Sequence, residues 1–170
     1  MNKIAFTGPE SSGKSTLSFW LAQQLGFTFC EEFARTHLEK TNGSYTYEDL
    51  EVIAKNQVEL WEESSKSKPK GIVADTEMIV MHVWSEFKFG KVSEYIVEQI
   101  KQQQFDLVFL CKPDIPWEFD PLREHPNHRD ELFLIYQETL QSFEIPYITL
   151  EGSLEFRKAE LLKFFKNRIV

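Results

Sequence analysis

The sequence predicts a three-layer α/β domain, a five-stranded parallel sheet with helices on both faces, and three observations carry that prediction. Short β-branched or aromatic runs alternate with longer segments of helical period. The first run leads into a glycine-rich segment that opens a helix, the context of a phosphate-binding loop. The chain has 170 residues, 42% of them hydrophobic and 15 of them Phe, which suits one sizeable core better than two. A single P-loop NTPase domain over residues 1–170 is therefore expected.

Lys3 to Thr7 reads as the first strand. After the glycine-rich segment, Leu17, Trp20, Leu21 and Leu25 keep the 3/4 spacing of an amphipathic helix. Phe27 to Cys30 reads as the second strand. Thr46, with Asp49 three residues on, can form a capping box. It opens a helix whose buried stripe is Leu50, Ile53, Ala54, Gln57 and Trp61, with one polar interruption. Lys-Ser-Lys-Pro-Lys at 66–70 reads as a solvated loop.

Gly71 to Asp75 is the third strand, Asp106 to Cys111 the fourth and Tyr147 to Leu150 the fifth. Asn127 with Asp130 offers a second capping box. Ser153 opens a last helix, with Phe156, Ala159, Leu162 and Phe165 on one stripe. Between the fourth strand and the helix after Asn127, residues 112–127 hold four of the seven prolines together with Trp117 and Arg123. So long a connection in a compact domain predicts a functional segment, an active-site lid spanning about 112–130.

Charge narrows the partners. Nineteen Lys and Arg against 27 Asp and Glu leave a net charge of −8, a field that repels nucleic acid and anionic membranes. No apolar run approaches a spanning helix, and Met1-Asn2-Lys3-Ile4 leads straight into a strand, so a cytoplasmic protein is expected. Cys30 and Cys111 lack paired spacing and read as buried strand-end side chains. His37, His82, His125 and His128 form no metal pair, so any metal is expected on oxygen ligands.

Gly8-Pro9-Glu10-Ser11-Ser12-Gly13-Lys14-Ser15 matches G-x-x-x-x-G-K-[ST] in full, between a strand and a helix that continues through Thr16. The glycines let backbone N–H groups curl toward phosphate oxygens, Lys14 adds positive charge, and Ser15 can place a hydroxyl on Mg²⁺. A carboxylate is unusual in a phosphate cradle, so Glu10 must turn away from the nucleotide, toward an acceptor, the waters of the metal or solvent.

Asp75 ends a buried strand, where ligands bind in doubly wound sheets, and is a candidate for the Mg²⁺ shell or for an acceptor hydroxyl. Glu77 is a weaker candidate, since the helix dipole also accounts for an acid there. Glu32 and Arg35 follow the second strand on the same sheet edge as the phosphate loop. A carboxylate beside the attacking hydroxyl suits phosphate transfer to an alcohol, so Glu32 or Asp75 is the candidate base, with Glu32 alternatively binding a sugar diol and Arg35 a candidate for substrate binding beside it. Arg123 in the lid and Arg129 at a helix start, where the dipole disfavours a cation, suit stabilisation of a transferring phosphoryl group.

Gly8 to Thr16, Glu32-Phe33-Ala34-Arg35, Asp75-Thr76-Glu77, Trp84-Ser85-Glu86, and the run from Pro113-Asp114-Ile115-Pro116-Trp117 through Asp120-Pro121-Leu122-Arg123 to Arg129 resemble the NadR-type ribosylnicotinamide kinases over nearly the entire chain. The resemblance implies a nucleoside/nucleotide-kinase-like fold and an ATP- and Mg²⁺-dependent kinase. Its acceptor would be the ribose 5′-hydroxyl of nicotinamide riboside and its product nicotinamide mononucleotide. In bifunctional relatives this kinase is fused to an adenylyltransferase; with 170 residues and no H-x-G-H motif, a stand-alone kinase domain is expected here. The chain departs from the pattern at Glu31, where those relatives carry an aromatic that stacks on the nicotinamide ring. Trp84 or Trp117 is the candidate replacement.

Rival readings are a kinase for another nucleoside or nucleotide and a regulatory ATP-binding module without an acceptor. A GTPase fits poorly, because Cys111-Lys112-Pro113-Asp114 lacks the leading Asn of its guanine motif and Asp75-Thr76-Glu77-Met78 lacks the Gly of its switch. A remodelling ATPase is expected to need an additional helical domain.

Overall fold

The computed structural model describes residues 2–66, 70–102 and 104–166. Its element order is β1 (Lys3–Thr7), α1 (Lys14–Leu25), β2 (Thr28–Cys30), α2 (Phe33–Lys40), α3 (Tyr47–Lys66), β3 (Ile72–Ala74), α4 (Met78–Phe89), α5 (Glu94–Lys101), β4 (Leu107–Cys111), α6 (Arg129–Ser142), β5 (Tyr147–Leu150) and α7 (Leu154–Lys166). The five strands form one parallel sheet in the order β2-β3-β1-β4-β5. All five expected strands form, with β2, β3 and β4 each shorter than expected by a residue or two at the ends.

Strand alternation sorts the side chains into two cores. Ile4, Phe6, Val73, Leu107 and Phe109 face α1 and α7 through Leu17, Leu21, Leu161 and Phe165. Ala5, Ala74, Val108 and Leu110 face the opposite layer, where α3, α4, α5 and α6 contribute Ile53, Trp61, Ile79, Ile96 and Leu140. Both faces are covered, as an all-parallel sheet requires. None of the described helices is long and apolar enough to cross a membrane.

The expected stripe of α3 is buried throughout, and Thr46 and Asp49 make the reciprocal bonds of a capping box, 2.8 and 3.4 Å. Two expectations fail. Asn127 and Asp130 form no box, because α6 begins one turn position later: His128 is its N-cap, without a side-chain cap, and engages Glu131 instead. On α7 the buried stripe is Arg157, Leu161 and Phe165, whereas Phe156 and Leu162 are 56% and 37% exposed. Burying Arg157 rotates the helix away from the purely apolar stripe. Of the expected 66–70 loop, Lys66 ends α3, and residues 67–69 lie outside the described residues.

Candidate active site

The phosphate loop runs from the end of β1 into α1, on the edge of the sheet where β3 and β4 also end. Two glycines are indispensable to it. Gly8, at φ +127°, lies so near β4 that a Cβ would stand 2.6 Å from the Cys111 carbonyl oxygen. Gly13, at φ +85°, is the N-cap of α1, where a Cβ would stand 2.8 Å from Leu154. Inside the turn, Ser12 Oγ donates to the Pro9 carbonyl at 2.7 Å, and Lys14 Nζ reaches the Gly8 and Pro9 carbonyls at 2.8 and 2.9 Å. Ser15 and Thr16 are exposed at the first turn of α1.

Beneath the loop lies a residue the sequence reading passed over. Arg157 of α7 is fully buried and donates to the carbonyls of Ser12 (2.7 Å), Gly152 (2.9 Å) and Lys112 (2.8 Å), and to the Asp114 carboxylate. Asp114 in turn accepts from the Gly152 N–H at 2.8 Å. One guanidinium thus ties the loop, the start of the lid segment and the turn before α7 together, using its planar fork of donors.

Asp75, just past β3, is 5% exposed and accepts from Ser18 Oγ of α1 at 3.2 Å; the Ser15 hydroxyl also bonds it. Burial raises its pKa, against the pull of Ser15 and Lys14. Glu32 occupies the N-cap position of α2 yet caps nothing. Its backbone is fixed on both sides by Gln57, the polar interruption in the α3 stripe. Gln57 accepts from the Phe33 N–H at 2.7 Å and donates to the Glu31 carbonyl at 3.0 Å. The Glu32 carboxyl is thereby held in the cleft, where burial first and the Asp75 charge second push its pKa up to about 7.

Ser15 and Asp75 supply adjacent hard oxygen donors, and that pair fits Mg²⁺, which takes one or two protein oxygens and fills its shell with phosphate oxygens and water. Among the described residues no group of three or more His, Cys, Asp or Glu converges into an all-protein metal cage.

Residues 112–128, most of the segment expected to form a lid, connect β4 to α6 and contact the phosphate loop. Glu118 N–H donates to Ser11 Oγ at 2.9 Å. Arg129, the first residue of α6, donates to the Ser11 and Ile115 carbonyls, each at 3.1 Å. Arg123 donates to the Glu118 carbonyl, and its guanidinium lies 5.8 Å from the Trp117 ring, with that of Arg129 at 5.6 Å. Glu10 points outward, as expected, but its partners are lid amides at Glu124 and His125.

Loop, lid, α2 and α4 enclose a cleft of about 710 Å³. It is lined by the whole phosphate loop, Glu32, Arg35, Asp75, Trp84 and Arg123, all singled out in the sequence. Three expected site residues stand elsewhere. Glu77 caps α4 through the Ile79 N–H at 2.7 Å and lies buried behind the cleft, its carboxyl pushed up to about 7 by desolvation. Trp117 packs with the two arginines instead of lining the cleft, and Arg129 reaches the loop's outer side. Arg35 lines the cleft but is committed to Asp120 of the lid, with Glu39 at 3.6 Å.

Trp84 donates through Nε1 to Tyr45 Oη at 2.6 Å, and Tyr45 donates to Glu124 of the lid, which also takes Lys88 at 2.8 Å. Phe87, His125 and Tyr136 complete the aromatic wall. The sequence reading missed these three. Tyr136 could have been found from its place on the Leu132-Tyr136-Leu140 stripe of α6, but nothing local marks Phe87 or His125. Both cysteines are buried and free, as expected, and burial pushes the Cys111 thiol up to about 12.

A family model described as an AAA domain matches residues 3–157. Among curated proteins, the trifunctional NAD biosynthesis/regulator protein NadR of Escherichia coli (strain K12) is 28% identical over 154 residues, covering 87% of this chain and 38% of the relative. The chain therefore spans less than two fifths of that relative's length. A crystal structure of a NadR protein in complex with NR superposes with a TM-score of 0.78 at 21% identity, over 99% of this chain and 52% of that one. The deoxyadenosine kinase of M. mycoides with bound dATP superposes with a TM-score of 0.65 at 12% identity, over 98% of this chain and 100% of that one.

Proposed function

We propose that this chain, which belongs to the AAA domain family and is NadR-like within it, is an ATP- and Mg²⁺-dependent kinase that phosphorylates the ribose 5′-hydroxyl of nicotinamide riboside. The observation that carries the reading is a single cleft in which the phosphate loop, Asp75 and Glu32 converge beneath a lid bearing Arg123. A passive nucleotide-binding module has no use for an aromatic-walled compartment within that cleft with a carboxyl of pKa about 7 facing it. The same compartment weighs against a remodelling machine, although the family description extends to such ATPases.

In this reading the loop amides and Lys14 bind the phosphates of ATP. Ser15 and Asp75 would hold Mg²⁺, which would supply charge neutralisation for the phosphates. Asp75 is occupied by Ser15 and Ser18, which leaves Glu32 as the base. The 5′-oxygen attacks the γ-phosphorus, the bond from that phosphorus to the β,γ-bridging oxygen breaks, and the hydroxyl proton passes to Glu32. ADP and nicotinamide mononucleotide are the products. Arg129 holds the lid against the loop through the Ser11 carbonyl, and Arg123, which lines the cleft, contributes positive charge near the transferring group.

The choice of acceptor draws on electrostatics as well as resemblance. Among the described residues lining the cleft are eight carboxylates and three Lys or Arg. That surplus favours a positively charged pyridinium riboside over a neutral nucleoside, and the faces of Trp84, Phe87 and Tyr136 suit a flat cation.

The decisive assay is ADP release with ATP·Mg²⁺ against nicotinamide riboside, adenosine, cytidine, uridine and the nucleoside monophosphates, with Lys14→Ala as the blank. Acceleration by nicotinamide riboside alone is the expected result. Acceleration by a different acceptor instead would reassign the substrate, and tight ATP binding without acceleration by any would leave a regulatory module.

A further inference from the structure

We propose that Glu10 is a positioning residue, a latch on the phosphate loop that holds the lid and its Arg123 over the cleft. Residues in the variable positions of a phosphate loop normally leave ligand binding to the backbone, whose N–H groups point inward, so their side chains point outward. Here the outward direction is occupied by the lid. Glu10 Oε2 accepts from the backbone N–H groups of Glu124 and His125 at 3.0 and 3.1 Å, and Oε1 lies 3.2 Å from the first of them.

A carboxylate shared by two successive amides is a charge-assisted arrangement that a neutral side chain cannot match. Ser11 supplies a second attachment, through its hydroxyl to the Glu118 N–H and its carbonyl to Arg129. Arg123 lies between these two attachment points, its guanidinium turned back onto the Glu118 carbonyl. The distance from Lys14 to both arginines is therefore set by residues 10 and 11 of the same loop that binds phosphate. Loop geometry and lid position are one mechanical unit.

The inference rests on the kinase reading for its kinetic arm only, because the exchange arm uses no acceptor. Amide hydrogen exchange is measured on the full chain as wild type, Glu10→Ala and Glu10→Gln, alongside steady-state kinetics with ATP·Mg²⁺ and nicotinamide riboside. In Glu10→Ala the amides of Glu124 and His125 should exchange about 10-fold faster, with those of α1 unchanged. In the same variant kcat should fall about 10- to 100-fold, with a much smaller change in the KM for ATP, as expected for misplaced rather than missing groups. Glu10→Gln keeps one carbonyl acceptor and should recover part of both effects.

Unchanged exchange at 124 and 125 in folded Glu10→Ala overturns the latch, and so does faster exchange with an unaltered kcat. Should Glu10→Ala fail to fold, Ser11→Ala is read at the Glu118 amide, where unchanged exchange likewise overturns it. If wild type shows no turnover with nicotinamide riboside, the substrate reading fails while the exchange arm still decides the latch.

Discussion

The two ends of the cleft are built in opposite ways. At the phosphate-loop end, position is imposed by backbone and by side chains with almost no exposed surface: Gly8 against Cys111, Ser12 at 1% exposure, and Arg157 at 0% beneath the turn. At the acceptor end, position depends on a relay of partly exposed side chains from separate segments, with Trp84 to Tyr45, Tyr45 and Lys88 to Glu124, and Arg35 to Asp120. In the proposed kinase, a rigid phosphate cradle facing an adjustable acceptor wall would allow the acceptor to change without disturbing nucleotide binding. Substitutions at the two ends should therefore differ in kind, and the variants below test that in order of expected effect.

Lys14→Ala removes the ammonium of the cradle and should lower turnover by at least about 10³-fold, the upper range for losing a preorganised charge-stabilising group. Steady-state ADP release checks it. A smaller loss, comparable to that from acceptor-end variants, would erase the contrast. Arg157→Leu comes next. It leaves the Ser12, Lys112 and Gly152 carbonyls without this donor and Asp114 with the Gly152 N–H alone, and breaking a buried charged network of this kind costs about 3–5 kcal/mol. Urea unfolding should show that loss. ATP affinity should fall with it, since the Ser12 carbonyl belongs to the loop; a stability loss with intact ATP binding would separate Arg157 from the cradle.

Glu32 stands between the two ends, and pH reads it. Glu32→Gln should lower kcat about 100-fold with little change in ATP affinity, the lower range for removing a general base. Because the base must be ionised, wild-type kcat should rise as pH increases through about 7, and Glu32→Gln should lack that rise. The linkage to stability has the opposite sense. A carboxyl whose folded pKa is raised from 4.5 to about 7 holds its proton more tightly in the native state, so stability from this group declines as pH rises across that window. The difference between urea midpoints at pH 5 and 8 should shrink in the Gln variant, with Glu77 and Asp75, also raised, keeping the remainder. Activity and stability thus pull against one another at this position, as expected for a group held charged in a desolvated site.

How legible each end was in the sequence follows from the same contrast. The phosphate loop occupies eight consecutive positions, so its chemistry is written locally between one strand and one helix. All five strands were also accessible, because each is a short β-branched or aromatic run, buried in β1, β3 and β4 and partly exposed in β2 and β5. Arg157, by contrast, acts on Ser12 from 145 residues away. An Arg in a helical pattern reads as solvated until its partners are known, which is why the apolar stripe through Phe156 and Leu162 was preferred. Gln57 gave a faint signal as a polar break in an otherwise apolar stripe. The lid was legible as an irregular, proline-rich connection, but the commitments of Arg35 to Asp120 and of Glu10 to lid amides are contacts between segments that no local pattern encodes. Glu77 shows the reverse error: an acid near a candidate site turned out to cap α4, the dipole-based role that already explained it.

The smallest effect expected is also the one that separates two roles of a single residue. Trp84 presents a ring to the cleft and an N–H to Tyr45 Oη at 2.6 Å, and through Tyr45 it touches the lid at Glu124. Trp84→Leu removes both, and the KM for the acceptor should rise about 10-fold, the equivalent of one aromatic contact, while the KM for ATP stays near wild type. Trp84→Phe keeps an aromatic face and loses only the donor. If the ring binds the acceptor, the Phe variant should retain most of the acceptor affinity. If the relay to Glu124 is what matters, Phe and Leu should be equally impaired, and kcat should fall along with affinity because the lid is released. An increase in the KM for ATP in either variant would mean that the acceptor wall and the phosphate cradle are not independent, and the division of the cleft into a rigid and an adjustable end would have to be given up.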